Sequence, residues 1–186
     1  MIKKSALAGF MIGFAALLSC CINHNVLAPL TFSLGLLYIR MCGAYLFTGQ
    51  IQNLKNKTTT FKELLLGLFY NIVGVGGAVL IMLFLIPGKP TLDTTFAEII
   101  STKWIHPWYY YIASGFGCGV LMTIATKKET PFWVSSLSVM AFILAGFNHC
   151  VADWLYIGST WTNFLKWACV VVGNFLGGYT AAVKNQ

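Results

Sequence analysis

The sequence predicts an all-α integral membrane protein with six transmembrane helices. Hydrophobic residues make up 58% of the 186-residue chain and charged residues only 9%, a composition far from that of soluble domains. Six apolar runs each approach or exceed the roughly 20 residues that span a bilayer as a helix. These runs cover about residues 7–23, 29–50, 63–87, 106–126, 131–157 and 161–183.

The N-terminal run has two interpretations. Lys3 and Lys4 precede it, and Ser19 and Cys20 near its end resemble the cleavage position of a lipoprotein signal. The same residues suit an uncleaved first helix whose lysines stay in the cytoplasm. We expect the uncleaved helix, because the other runs need it to complete a topology.

Lysines between the runs set the orientation. The two termini and the connections at residues 51–62 and 127–130 are basic, whereas the alternate connections are uncharged or nearly balanced. The positive-inside rule therefore places both termini in the cytoplasm of a multi-pass protein of the plasma (inner) membrane, whose partner is the lipid bilayer. The net charge is +7, but the basic residues stand singly or in pairs between apolar runs and form no patch that would bind phosphates. We therefore expect no nucleic-acid partner.

The six runs divide into two halves of three, so the second half must run inverted to the first. Runs three and six carry glycine clusters at Gly74–Gly77 and Gly173–Gly178, where helices can approach closely. Runs two and five each carry an ionisable residue, as in transporters built from inverted repeats with broken middle helices. We expect one transmembrane domain over residues 1–186, with repeats at about residues 5–87 and 103–183.

Run five concentrates its ionisable side chains, His149 and Asp153, in one octapeptide that begins at Gly146. Such groups are costly at membrane depth and usually line a polar path or act in transport. A straight helix would carry His149 almost to the far surface, at ~1.5 Å per residue. A break at Gly146 and Asn148 would instead leave it at a helix end that faces a pore. The residues alone leave both positions open.

Two motifs characterise the first half of the chain and the start of the second. The first motif has two parts, since residues 32–36 read FSLGL and residues 43–49 read GAYLFTG. Further along, Lys103 is followed at fixed spacing by Gly115 and Cys118. These positions correspond to a family pattern of FSLGL, GAELFTGN, and a lysine before G-x-x-C-N.

Two more motifs follow in order. Residues 146–154 read GFNHCVADW, beside a family pattern near GFEHSIANM, and residues 173–178 read GNFLGG, beside GNxxGG. With these four ordered motifs, residues 9–183 resemble the formate–nitrite transporter family.

The resemblance implies an aquaporin-like bundle of six helices, with helices two and five broken, assembled as a homopentamer with one pore per protomer. It also implies passage of small monovalent anions such as formate, nitrite, hydrosulfide, acetate or lactate, or of the protonated acids. His149 would be the pore histidine and Lys103 the anion-attracting lysine. The candidate pore residues are His149, Lys103, Phe47, Thr48, Phe32, Phe147, Asn148, Asp153 and Asn174.

The chain departs from the family pattern at several positions. Gly119 replaces an asparagine in helix four, Asp153 replaces the asparagine after the histidine, and Arg40 lies inside run two. The stretch from Gly9 to Phe32 is also about ten residues shorter than the corresponding stretch of the family pattern. Arg40 and Gly119 are therefore candidate specificity positions, and Arg40 is alternatively a partner for a neighbouring protomer.

Two of these side chains leave alternatives open. Asp153 is either a solvated acid or the partner of Lys103 or Arg40, and an ion pair with Lys103 would cancel the positive potential that draws anions. Asn174 either satisfies backbone groups at a broken helix or touches the substrate. The aromatic cluster of Trp104, Trp108, Tyr109, Tyr110 and Tyr111 predicts an outer interfacial belt.

These residues predict transport of a weak-acid anion together with a proton. An anion concentrated by Lys103 would take up a proton, cross an apolar constriction walled by phenylalanines as the neutral acid, and hydrogen-bond to His149, which supplies or relays that proton. One alternative is a neutral-solute channel of the same fold, and another is a non-conducting assembly or regulatory homologue. No nucleophile pair, metal-ligand cluster or phosphate-binding loop is visible in the sequence, so we expect neither an enzyme nor a cofactor.

Overall fold

The protein is represented by a computed structural model that describes residues 1–22, 24–85 and 90–183. All secondary structure in these residues is helical. The helices are α1 (Ile2–Cys20), α2 (Leu27–Met41), α3 (Phe47–Lys55), α4 (Phe61–Leu85), α5 (Pro90–Lys103), α6 (Trp108–Thr126), α7 (Phe132–Leu144), α8 (Cys150–Asp153) and α9 (Trp161–Ala181), with a 3₁₀ turn at Trp154–Tyr156 between the last two.

Each of the six apolar runs contains helix, but two runs contain more than one. The second run is divided into α2 and α3, and the fifth into α7 and α8. By length and hydropathy alone, two of the described helices are long and apolar enough to cross a bilayer, at Ile2–Cys20 and Phe61–Met82. Helices α2 and α7 are apolar but shorter, at 15 and 13 residues.

A glycine ends the helix at each division. Gly43 and Gly146 follow the last residues of α2 and α7 and adopt φ values of +58° and +70°, a region that residues with a Cβ rarely enter. After each glycine the backbone turns back on the helix, with Ala44 N–H donating to Ile39 O at 2.9 Å and Phe147 N–H donating to Phe142 O at 2.9 Å. These Schellman-type ends stop α2 and α7 inside an apolar run.

Two helix pairs form the packed frame, α1 against α4 and α6 against α9. Their contacts depend on glycine. A methyl group built on Gly9 would overlap the Asn71 carbonyl across the first pair, and one on Gly177 would overlap the Phe116 carbonyl across the second. The prediction that helices approach closely at the glycine clusters of runs three and six is confirmed, since a methyl group on Gly74 would likewise overlap the Ala6 carbonyl of α1.

Helix α5 was not expected. The apolar pattern marks residues 88–105 only as a connection between the third and fourth runs, but Pro90–Lys103 is helical. Its Pro90 occupies the first helical position, where a missing N–H costs nothing, and Ile99 and Ile100 pack against the core. The helix carries Lys103 at its C-terminal end to the interior of the bundle.

The predicted aromatic belt is wrong for two of its members. Trp104 is buried and donates through Nε1 to the Tyr156 carbonyl at 2.8 Å. Tyr111 is also buried, and its hydroxyl donates to the Lys103 carbonyl at 3.0 Å. Trp108 and Tyr109 are exposed, as an interfacial position requires. The polar atom of a buried Trp or Tyr needs a partner, and here the partners tie α5 and α6 to the turn after α8.

Candidate pore site

The beginnings of α3 and α8 meet at the centre of the protein. Thr48 in the first turn of α3 and His149 just before α8 are both buried, and Thr48 Oγ1 lies 3.0 Å from His149 Nε2. The two residues are 101 positions apart in the chain. The structure therefore brings together two of the predicted pore residues through a direct hydrogen bond.

The hydrogen bonds of His149 define its tautomer. Its Nδ1 accepts the Ala152 N–H at 3.2 Å, as the N-cap of α8. A nitrogen that accepts a hydrogen bond carries no proton, so the imidazole is neutral and Nε2–H donates to Thr48 Oγ1. The ring also stacks on Phe142, with centroids 5.8 Å apart. His149 can therefore offer one N–H donor, from Nε2, to a solute that displaces Thr48.

Asn174 of α9 fixes the backbone on both sides of His149. Its Oδ1 accepts the Cys150 N–H at 2.9 Å, and its Nδ2 donates to the Asn148 carbonyl at 2.9 Å and to the Gly115 carbonyl at 2.8 Å. The side chain is fully buried. Of the two roles predicted for Asn174, these contacts fit the structural one, because its amide groups are occupied by backbone.

Asn71 of α4 fixes the backbone in the same way between α2 and α3, and it was not identified from the sequence. Its Oδ1 accepts the Phe47 N–H at 2.8 Å, while Nδ2 donates to the Tyr45 carbonyl at 2.9 Å and the Ser5 carbonyl at 2.7 Å. Both asparagines lie 24 residues after the N–H that they accept. That equal spacing is the signal that could have revealed Asn71 once Asn174 was singled out.

Two cavities lie at opposite ends of α2. One, the His149 cavity, has a volume of about 570 Å³ and contacts Ala28 and Phe32 near the start of α2. The other, the Arg40 cavity, has a volume of about 950 Å³ and contacts Ile39 and Arg40 near its end. A helix of 15 residues is about 22 Å long, so the two cavities lie on different sides of the bundle.

The Thr48–His149 bond stands between these cavities. Leu46 and Gly49, on either side of Thr48, line the Arg40 cavity, whereas His149 lines the other. Phe47 is almost completely buried. A solute that crossed between the cavities at this point would meet this buried polar contact.

Lys103 and Asp153 form an ion pair at the wall of the His149 cavity. Lys103 Nζ lies 2.9 Å from Asp153 Oδ1 and donates to Asn148 Oδ1 at 3.1 Å. Asn148 in turn donates through Nδ2 to Ser114 Oγ at 2.8 Å. Of the partners that the sequence allowed for Asp153, the structure selects Lys103.

Arg40 has different partners. Its guanidinium donates to Ser135 Oγ and to the backbone carbonyls of Lys127 and Thr130, the latter two at 3.0 and 2.8 Å. It also lies over the Phe132 ring, 5.1 Å from the centroid. Arg40 therefore ties the end of α2 to the connection between α6 and α7, at the wall of its own cavity.

The remaining predicted residues divide between cavity wall and packing. Phe32 meets Phe142 edge-on, with centroids 6.1 Å apart, and both line the His149 cavity, as does Phe147. Gly119 packs against the Asn174 carbonyl, where a Cβ would not fit. Phe142 was missed because its position in an apolar helix gives no sign of a ring stacked on His149.

A buried polar contact between two cavities in a helical bundle is typical of a membrane channel or transporter. The family model described as "Formate/nitrite transporter" matches residues 1–184. The chain belongs to the formate/nitrite transporter family, a family of membrane channels and transporters, as the sequence motifs predicted.

Solved structures agree with this assignment. A structure described as "FNT family ion channel" is similar with a TM-score of 0.82 at 20% identity, covering 97% of this chain and 86% of that one. A "Pentameric formate channel with formate bound" is similar with a TM-score of 0.78 at 20% identity, covering 95% and 91%. None of the curated protein sequences matches this chain.

Proposed function

We propose that this protein is a channel for small weak acids, formate or nitrite among them, which passes the anion together with a proton past His149. The observation that carries the proposal is the Thr48–His149 hydrogen bond between two cavities. The similar structure with formate bound supports formate as the first solute to test.

The same proposal includes six membrane spans in one domain. Helices α2 and α3 together make span two, and α7, α8 and the 3₁₀ turn make span five. Two features support a repeat at about residues 5–87 and 103–183: the matched contacts of Asn71 and Asn174, and a positive-φ glycine before each second half-helix. Each half carries one broken helix and one glycine-packed pair, as in inverted-repeat transporters.

Sidedness and assembly follow from charge and likeness. Tyr45 N–H donates to the Lys4 carbonyl and Val183 lines the Arg40 cavity, so Lys4 and Val183, near the two ends of the described chain, both lie on the side of that cavity. The lysines at residues 127 and 128 line it as well. We therefore propose that the Arg40 cavity faces the cytoplasm of an inner-membrane protein. The likeness to a pentameric formate channel supports a homopentamer.

The barrier determines the form in which the solute crosses. Phe32 and Phe142 make the His149 cavity apolar at its inner end, and Phe47 is buried beside Thr48. Moving a bare anion through such a region costs many kcal/mol. A neutral acid crosses at a much lower cost, which is that of the hydrogen bonds it loses to water. The solute oxygen would accept the Nε2–H of His149 in place of Thr48, and its proton would travel with it.

Proteoliposomes test the central role of His149. The variant His149→Ala removes the buried donor, and one unsatisfied acceptor at the barrier costs about 1–3 kcal/mol, or a factor of about 5 to 160 in rate. We expect initial formate uptake to fall by that factor. His24→Ala is the matched control, because His24 also accepts backbone N–H groups but is exposed outside both cavities.

Uptake that survives His149→Ala unchanged would refute the proposed route. A second candidate function, a channel for neutral solutes such as glycerol or water, is favoured by the ion pair of Lys103, which weakens anion attraction. Osmotic swelling with glycerol but no formate uptake would support that candidate. Failure of both assays in well-folded protein would support a non-conducting homologue.

A further inference from the structure

The charges around the His149 cavity do not favour an anion. Among the residues that the structure describes, Lys103 contributes one positive charge to the cavity wall, while Asp153 and Glu98 each contribute a negative one. His149 is neutral by its hydrogen bonds. The wall therefore carries one net negative charge, although the cavity contains the lysine that the family resemblance made an anion attractor.

The Arg40 cavity has the opposite sign. Its described wall includes Arg40, Lys127 and Lys128 against a single acid, Glu129. The positive charge of the protein is thus present at one end of the proposed pore and cancelled at the other. A cavity lined by one sign of charge concentrates ions of the opposite sign, so the two ends differ in how they meet a free anion.

The cancellation is local and close. Lys103 Nζ lies 2.9 Å from Asp153 Oδ1, and the two side chains are only 18% and 6% exposed. At that distance and burial the two charges act on a third charge as a dipole, whose field falls off faster than that of a lone ammonium. One more Lys103 donor is taken by Asn148 Oδ1.

Asp153 also has an unmet hydrogen-bonding need. Its Oδ2 is buried and has no hydrogen-bond partner among the described residues. A carboxylate oxygen without a donor is costly. That oxygen is closed off from the cavity, so it keeps its negative charge beside Lys103 without being a contact for a solute.

The other titratable side chains near Asp153 do not restore a positive charge. Tyr111 and Cys118 face it from α6, Cys150 from α8 and Tyr156 from the 3₁₀ turn. Phenols and thiols of this kind are neutral near pH 7. Among the described residues, the positively charged group in contact with Asp153 is therefore Lys103.

We infer that Asp153 is the specificity-determining residue of the His149 cavity: by neutralising Lys103 it makes this end of the pore admit the protonated, neutral weak acid and not the free anion. The inference rests on the proposed function and deepens it, since it states where the proton joins the solute. The acid forms in solution before it reaches the cavity, where it meets a wall that has no net positive charge.

The wild-type protein provides the first test. Proteoliposomes are sorted by a C-terminal tag so that the His149 cavity faces outward, and initial uptake of labelled formate is measured after subtracting protein-free liposomes. In one series the total formate is fixed while the external pH rises, so that formic acid falls about tenfold per pH unit. In the other, total formate is raised with pH to hold formic acid constant. We expect uptake to fall with pH in the first series and to stay constant in the second.

Variants then assign the preference to Asp153. Asp153→Asn keeps the shape of the side chain, leaves Lys103 without its ion-pair partner and takes the described cavity wall from one net negative charge to none. In the constant-acid series, we expect uptake by this variant to rise with total formate, by about tenfold from the lowest to the highest pH. High salt should reduce that rise, because it screens the Lys103 charge. The double variant Lys103→Gln/Asp153→Asn has no charge at either position and is expected to follow the acid, like the wild type. Glu129→Gln makes the same change of charge in the Arg40 cavity and should leave the dependence on acid unaltered.

The outcomes separate the two levels of the proposal. Absence of formate uptake by folded wild-type protein at every pH would overturn the proposed function itself. Uptake that follows total formate at constant formic acid would leave the channel function intact and overturn the role of Asp153. Asp153→Asn protein that is folded by size-exclusion chromatography and still follows the acid would also overturn it. If that variant does not fold, the wild-type series and the double variant decide.

Discussion

The side chain of Asn174 fixes the backbone on both sides of His149, and its removal has a predictable cost. Asn174→Ala deletes three hydrogen bonds, to Cys150 N–H and to the carbonyls of Asn148 and Gly115. Hydrogen bonds between helices in membranes contribute about 0.6 kcal/mol each, so their loss costs about 2 kcal/mol. The buried Cys150 N–H is then left without an acceptor, which adds about 1–3 kcal/mol. We expect the free energy of unfolding to fall by about 3–5 kcal/mol.

Two measurements check this value. Reversible unfolding in mixed detergent gives the change in free energy, and amide hydrogen exchange shows whether the peptide around Cys150 opens. Thr180→Ala is the matched control on the same helix, because the Thr180 hydroxyl donates to two carbonyls of its own helix, those of Leu176 and Gly177. A loss below about 1 kcal/mol for Asn174→Ala, or unchanged exchange at Cys150, would refute the reasoning, because at least one orphaned buried donor should cost more than that.

Three further predictions concern the glycine contacts, Arg40 and Thr48. Gly177→Ala should lower the melting temperature in detergent by pushing α6 from α9, whereas Gly76→Ala, with open space around its Cα, should raise it slightly through helix propensity; equal shifts would contradict the packing argument. Arg40→Lys replaces a fork of donors with one ammonium and should speed proteolysis of the connection between α6 and α7, which limited trypsin digestion measures against the wild type. Thr48→Val removes the acceptor of the His149 Nε2–H and leaves that donor free for the solute. Formate uptake should therefore rise by a factor of about ten while folding is retained. An unchanged rate would place the route elsewhere.

Much of the helical pattern could be predicted because its causes are local. Apolar runs of sufficient length form helix wherever they occur, since helix satisfies the backbone without water. Gly43 and Gly146 stop α2 and α7 because a positive φ is easy for glycine. The glycine contacts between helices also follow from sequence, because only a residue without a Cβ allows such close approach.

The site could be predicted in part. His149 and Thr48 were selected through the motifs of the family, and the structure joins them by a hydrogen bond. Asn71 was missed because a single asparagine in an apolar helix has no local signature. Its meaning comes from the Phe47 N–H that it accepts across the bundle.

The sequence by itself determined the membrane class, the family and the helices of the apolar runs, because composition, periodicity and motifs can be read directly along the chain. Only the tertiary structure decided which charges meet. From the sequence, Lys103 could face lipid headgroups, an anion or an acid, and Asp153 could pair with Arg40. In the structure, the unexpected helix α5 brings Lys103 to Asp153. Arg40 instead donates to backbone carbonyls between α6 and α7. Such partnerships depend on packing between segments distant in the chain, and electrostatic energy depends on distance and burial that no local pattern encodes.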